Sequence, residues 1–117
     1  MALQQQQLQS LKAEAKDFPS FNALKRSLRA AGKGKQWHHI VEQCQIGKSG
    51  FSKCLIHNFD NVINISNSIH NKISTYYSSK IPVLTGGMTV RDRLAGQSFQ
   101  KQYEYGIRIL RQFGVKI

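Results

Sequence analysis

Apolar residues recur along this chain in more than one rhythm, and each rhythm predicts a different element. Leu3, Leu8, Leu11, Ala15 and Phe18 fall on one helical stripe in a stretch rich in Gln, Ala and Lys, which predicts a helix over residues 2–18. Pro19 ends it. Ser20 is placed to cap a second helix with Phe21, Leu24, Leu28 and Ala31 inward and Lys25, Arg26 and Arg29 outward. "GKGK" breaks that helix, and the rhythm then shortens. "WHHIV" reads as a strand and "GKSG" as a turn, while "FSKCLIH" and "VINI" alternate well enough to pair as strands. Ser66 can cap a helix over residues 67–79 that buries Ile69, Ile73 and Tyr76. Pro82 and the Gly86–Gly87 pair predict a loop. Thr89 with Asp92 resembles a capping box, opening a long amphipathic helix with Leu94, Tyr103, Ile107 and Leu110 inward and Gly96 and Gly106 as weak points. No internal repeat is visible. The expected fold class is α+β, mainly helical: a small β-hairpin and helix, flanked by N-terminal helices and a long C-terminal helix. A chain of 117 residues has the size of one domain, here parsed as 1–35, 36–80 and 81–117.

Charge adds a partner to this picture. Seventeen Lys and Arg oppose six acids, a net charge of +11, and the bases run from Lys12 to Lys116 without a polybasic tail. Positive potential over much of a folded surface suits a polyanion, most simply nucleic acid, or an acidic protein. No apolar run has the roughly 20 residues needed to span a bilayer. The opening "MALQQQQLQS" lacks the features of a signal peptide, and its Gln tract alternatively reads as the end of a linker from a longer parent chain. Cys44 and Cys54 lack CxxC spacing and read as free, buried thiols, with a single disulfide as the alternative.

The candidate chemistry lies with the histidines. All four, His38, His39, His57 and His70, stand between residues 38 and 70. Imidazole exchanges protons near neutral pH and binds metals in its neutral form. His57 alone reads as a structural histidine. The adjacent pair does not, because neighbours on a strand face opposite ways and need different surroundings. One can reach a metal while the other faces a substrate. Asn61 stands nine residues before His70, which falls in the first turns of the predicted helix.

The order HisHis, Asn, His resembles the HNH nucleases of the ββα-metal (His-Me finger) class. "WHHIV" is similar to the HisHis variants in colicin DNases and in the C-terminal toxin domains of bacterial polymorphic toxins. The resemblance covers residues 36–79 and implies a role for each matching position. His39 would be the general base. His38 and His70 would ligate a divalent metal (Mg or Zn), and Asn61 would brace the loop or serve as a further ligand. It also implies a nuclease toxin domain delivered as part of a larger secreted or cell-surface protein, acting in the target-cell cytoplasm and restrained by an acidic cognate immunity protein. Two departures stand out. The position one helical turn after the last His is Ser74, a poor ligand, and no zinc-binding cysteine pair is present.

The remaining motifs have plainer readings. Glu42 either orients an imidazole or forms a surface salt bridge. "GKS" at Gly47–Ser49 lacks the first P-loop glycine, since residue 42 is Glu, which excludes nucleotide hydrolysis of that kind. Lys35, Lys48, Lys72, Ser78 and Lys80 are candidate phosphate contacts. Tyr77 is a candidate base contact, although core packing of one tyrosine in "TYYSSK" is the favoured reading. Trp37 reads as a core anchor. Two alternatives to the metal-assisted nuclease stay open. One is a metal-independent ribonuclease using histidine acid–base chemistry on transfer RNA, with a host translation factor as a further partner. The other is a non-enzymatic nucleic-acid-binding domain.

Overall fold

The computed structural model describes residues 16–117, so the helix expected over residues 2–18 lies almost wholly outside it. The fold is α+β and mainly helical, as the hydrophobic rhythm predicts. Its centre is β1 (Lys35–His39) paired antiparallel with β2 (Val62–Ser66), with Trp37 opposite Asn64 and His38 opposite Ile63. Helix α1 (Phe21–Ser27) precedes β1. Short helices α2 (Gln45–Ser49) and α3 (Lys53–Ile56) and a 3-10 turn (Phe59–Asn61) connect the strands. Helix α4 (Asn67–Ser78) follows β2, then α5 (Pro82–Thr85), α6 (Val90–Leu94) and α7 (Phe99–Gln112).

Hydroxyl caps set most of the helix starts. The side chains of Ser20, Ser66 and Thr89 accept from Ala23, Ile69 and Asp92 backbone N–H groups, as expected, and those of Ser52 and Ser98 do the same for α3 and α7. Each such cap is worth about 1 kcal/mol of helix stability. The Ser52 cap explains one departure from expectation: "FSKCLIH" forms a single helical turn instead of a strand, and β2 pairs with "WHH" instead. "GKSG" is likewise the end of α2, closed by Gly50 in the left-handed conformation at φ 75°. The long C-terminal helix is two helices. Gly96, at φ 85°, breaks the first, and Ser98 starts the second. Residues 82–85, expected as loop, make a helical turn. Helix α1 is shorter than expected, so Leu28 caps it and Ala31 lies beyond it.

The hairpin is sandwiched. Alternation along β1 sends His38 to the α4 side, while Trp37 and His39 face the segment around α1. Trp37 Nε1 donates to the Arg29 carbonyl at 2.9 Å, and Asn64 Nδ2 donates to the Ala31 carbonyl at 2.8 Å. On the α4 side, Ile65, Ile73 and Tyr77 join Ile40, Val90, Leu94, Ile109 and Leu110 in the main core. Full burial of each such aliphatic side chain contributes about 1.5–3 kcal/mol. Leu24 and Ile56 are fully buried outside that cluster. Helix α7 comes unusually close to the end of β1. A Cβ at Gly106 would lie 2.5 Å from the Ile40 carbonyl oxygen, so only glycine lets this helix seat there.

Candidate active site

Strand β1 and helix α4 bring His38 and His70 together, with their Nδ1 atoms 3.1 Å apart and their rings crossed at 77°. On the other face of β1, His39 Nε2 lies 3.2 Å from Nδ1 of His57, which caps α3, with the rings at 79°. The four histidines thus form two pairs, back to back across one strand. Phe21 closes the second pair, edge-on to His39 at 4.6 Å between ring centres and parallel to His57 at 6.1 Å. The neighbours His38 and His39 do have different surroundings, as strand geometry requires. His57, which reads as structural in the sequence, is the direct partner of His39, and only a contact across 18 positions reveals it.

All four imidazoles are held below their ordinary pKa of 6.5. Burial, then the neighbouring His70, lowers His38 to about 4. Burial, then His57, His38 and His70, lowers His39 to about 3. Burial and Lys53 lower His57. Burial also lowers His70, and the Glu42 carboxylate partly offsets it. At neutral pH the rings are therefore uncharged and present lone pairs.

Asn61 fixes the loop behind the histidines. Its Oδ1 accepts from the Val41 N–H at 2.9 Å, and its Nδ2 donates to the carbonyls of Val41 and Ile56 at 3.1 and 2.9 Å. The side chain is buried, and its own carbonyl accepts from the Ile40 N–H at 2.8 Å. Of the two roles that the resemblance implies for Asn61, these contacts are those of the brace. Its amide is occupied by loop backbone and is not free to act as a metal ligand.

Glu42 binds Arg91 through both oxygens, at 3.0 and 2.7 Å, and Arg91 Nη1 donates to Ser78 Oγ at 2.7 Å. The carboxylate touches no imidazole and acts on His70 through its charge. Arg91 escapes sequence reading because its partner stands 49 positions earlier.

His38, His39 and His70 border an open cleft of about 310 Å³ together with Trp37, Ser74 and Arg91. Trp37 is half-buried there and outside the core cluster, which corrects its reading as a core anchor. Other candidate contacts separate. Tyr77 is 2% exposed and belongs to the core, so it cannot stack on a base; its neighbour Tyr76 bonds the Tyr105 hydroxyl. Lys48 is paired with Asp92 at 2.7 Å, which removes it from the free phosphate contacts. Ser78 is exposed and accepts from Arg91. Lys80 is exposed, and Lys72 lies on a different hollow beside Tyr76 and Phe113. Lys35 lines a second cleft, next to the first. Both cysteines are free and exposed, not buried, and Cys44 lies on the rim of the histidine cleft.

The donor set was tested against a divalent ion. Two neutral imidazole nitrogens 3.1 Å apart can both reach one ion at the roughly 2.0–2.1 Å of a metal–imidazole bond. Among the described residues no group of three His, Cys, Asp or Glu side chains gathers to hold a metal, so water or substrate oxygen would complete the shell. No described helix is long and apolar enough to cross a membrane. Comparison with protein-family models, with curated proteins and with solved structures returned no match.

Proposed function

We propose that this chain cleaves nucleic-acid phosphodiester bonds, as the nuclease domain of a delivered bacterial toxin. The observation that carries the reading is the convergence of His38 and His70, one from the hairpin and one from the helix behind it, beside His39 in an open cleft of a +11 chain. A divalent ion held by His38 and His70 would neutralise charge growing on the phosphate. His39 is the general base. With Nε2–H donated to Nδ1 of His57, the lone pair of His39 stands on Nδ1, where it takes a proton from the attacking water. His57 is thus a positioning residue that fixes the tautomer of His39. The low pKa of His39 belongs to the free cleft. An arriving phosphate brings negative charge that raises it towards the working range. Asn61 keeps the strand end and the loop in register while the substrate binds.

A second reading rests on the donor count, since only two imidazoles converge. On RNA, the 2′-hydroxyl can attack the phosphorus after giving its proton to one histidine. A second histidine then protonates the departing 5′-oxygen, leaving a 2′,3′-cyclic phosphate. No metal enters that scheme.

One experiment separates these readings. The purified chain is incubated with plasmid DNA and with transfer RNA, each in EDTA, Mg²⁺ or Zn²⁺. Metal-dependent cleavage is the expected result. Cleavage of RNA that persists in EDTA moves the assignment to the second reading. Intact substrates under every condition would remove the nuclease proposal. The toxin part has its own test: expression of the chain should be toxic to bacteria, and a small acidic partner protein should relieve it, with an association rate that falls as salt rises.

A further inference from the structure

We propose that the second cleft, between the α1 segment and the outward face of the hairpin, is a subsite for one unpaired nucleotide of the bound strand. This rests on the nuclease reading and extends it to the shape of the substrate. The cleft has about 330 Å³ and is walled by Phe21, Trp37 and the stems of Lys25, Arg29 and Lys35. It shares Phe21, Gln36 and Trp37 with the histidine cleft, so the two are contiguous. A strand with a phosphate at His38 and His39 therefore has its neighbouring nucleotide at Trp37.

The chemistry of the walls selects for a nucleotide. From Phe18 to Val41 the chain holds five Lys and Arg and no Asp or Glu. None of these five forms an ion pair with a described acid, whereas Lys16, Lys48 and Arg91 are neutralised by Asp60, Asp92 and Glu42. The unneutralised positive charge of the described surface is thus concentrated beside this cleft, where phosphates gain most from it. The aromatic part is fixed in advance. The Nε1 bond to the Arg29 carbonyl holds the indole in place, and the Lys25 ammonium sits 4.6 Å over the Phe21 ring. An immobilised indole among cations suits base stacking with phosphate contacts, a combination that tolerates any sequence. A base within a duplex has both faces covered by its neighbours and cannot enter. The occupant is single-stranded.

Trp37 is the only tryptophan, so its emission reports this cleft alone. The probe is a short single-stranded DNA oligonucleotide in EDTA, titrated against the whole chain, with a duplex of the same sequence alongside. The single strand should quench Trp37 emission and the duplex should not. Lys25→Glu with Arg29→Glu should weaken binding at least about tenfold and lower the salt slope by about two, one for each lost phosphate contact. Lys101→Glu with Arg108→Glu on exposed positions of α7 changes the net charge equally and should weaken binding far less. Absence of quenching, equal quenching by the duplex, or equal weakening by both double variants would overturn the proposal. Cleavage, measured separately, reports on the histidines. A chain that cleaves without quenching loses the subsite alone, and one that quenches without cleaving loses the nuclease reading alone.

Discussion

The two histidine pairs have nearly the same internal geometry and opposite settings. In each, two rings cross at close to a right angle with nitrogens 3.1 or 3.2 Å apart. The His38–His70 pair lies along an open cleft, with His70 half-exposed and the Glu42 charge near enough to raise its pKa. The His39–His57 pair is roofed by Phe21, and both members are buried. The open pair can give up its mutual contact for a third body, such as an ion. The closed pair can only hold a tautomer and pass a proton. Surroundings, not residue type, divide the labour between them.

The sharpest break comes from the proton acceptor. His39→Ala should lower cleavage by about 10²–10⁴-fold while leaving the fold and metal affinity intact, as read by plasmid or transfer-RNA fragmentation. His57→Ala should cost less, because it removes only the orientation. Near-native activity in well-folded His39→Ala would end its assignment as base.

Metal binding should sort the pairs in the other direction. Calorimetric titration with Zn²⁺ should show His70→Ala and His38→Ala weakened by more than the roughly 10–100-fold typical of outer-shell losses. His57→Ala should bind like the wild type. Equal binding by all variants would falsify the ligand assignment.

Acid should sharpen the comparison through stability. The folded chain binds protons at His38 and His39 less readily than the unfolded chain, with pKa values of about 4 and 3 against 6.5. Their contribution is therefore full above pH 6.5 and is lost as pH falls through that window. Each is worth on the order of 3 kcal/mol. Denaturant unfolding at neutral pH and at about pH 4 should show a clear loss. That loss should shrink more in His39→Gln than in His38→Gln, since the His39 pKa lies lower.

The smallest effect is electrostatic. Glu42→Gln removes the charge that raises the pKa of His70, so that pKa should fall while His57 stays unmoved. Histidine proton resonances followed through a pH titration distinguish the two. A matched shift at both would mean that the pairs are not electrically separate.

How much of this was legible in the chain depends on the range of the interaction involved. Ser20, Ser66 and Thr89 announced their helices because a cap is a contact over three residues. "WHH" and "VINI" announced strands, and the clustering of the histidines was plain. Their partition was not. Strand alternation separates His38 from His39 but cannot supply His57 or His70 as partners. Phe21, Trp37 and Arg91 acquire their roles only through distant contacts, to His39, to the Arg29 carbonyl and to Glu42. The misread strand at "FSKCLIH" shows local alternation losing to a hydroxyl cap at Ser52 and to burial of Ile56. The long C-terminal helix was misjudged at Gly96, whose positive φ ends α6 where a smooth periodicity suggested continuation.

The close approach of Gly106 to the Ile40 carbonyl sets an order of events in synthesis. The hairpin with both adjacent histidines leaves the ribosome well before α7 exists, and domains fold as units once their parts are available. Until residue 106 arrives, the end of β1 lacks the backbone surface it rests on, and the rings of His38 and His39 are not yet held against their partners. The cleft is thus among the last features a nascent chain acquires, and a product that stops short of α7 would carry every histidine without the seat that arranges them.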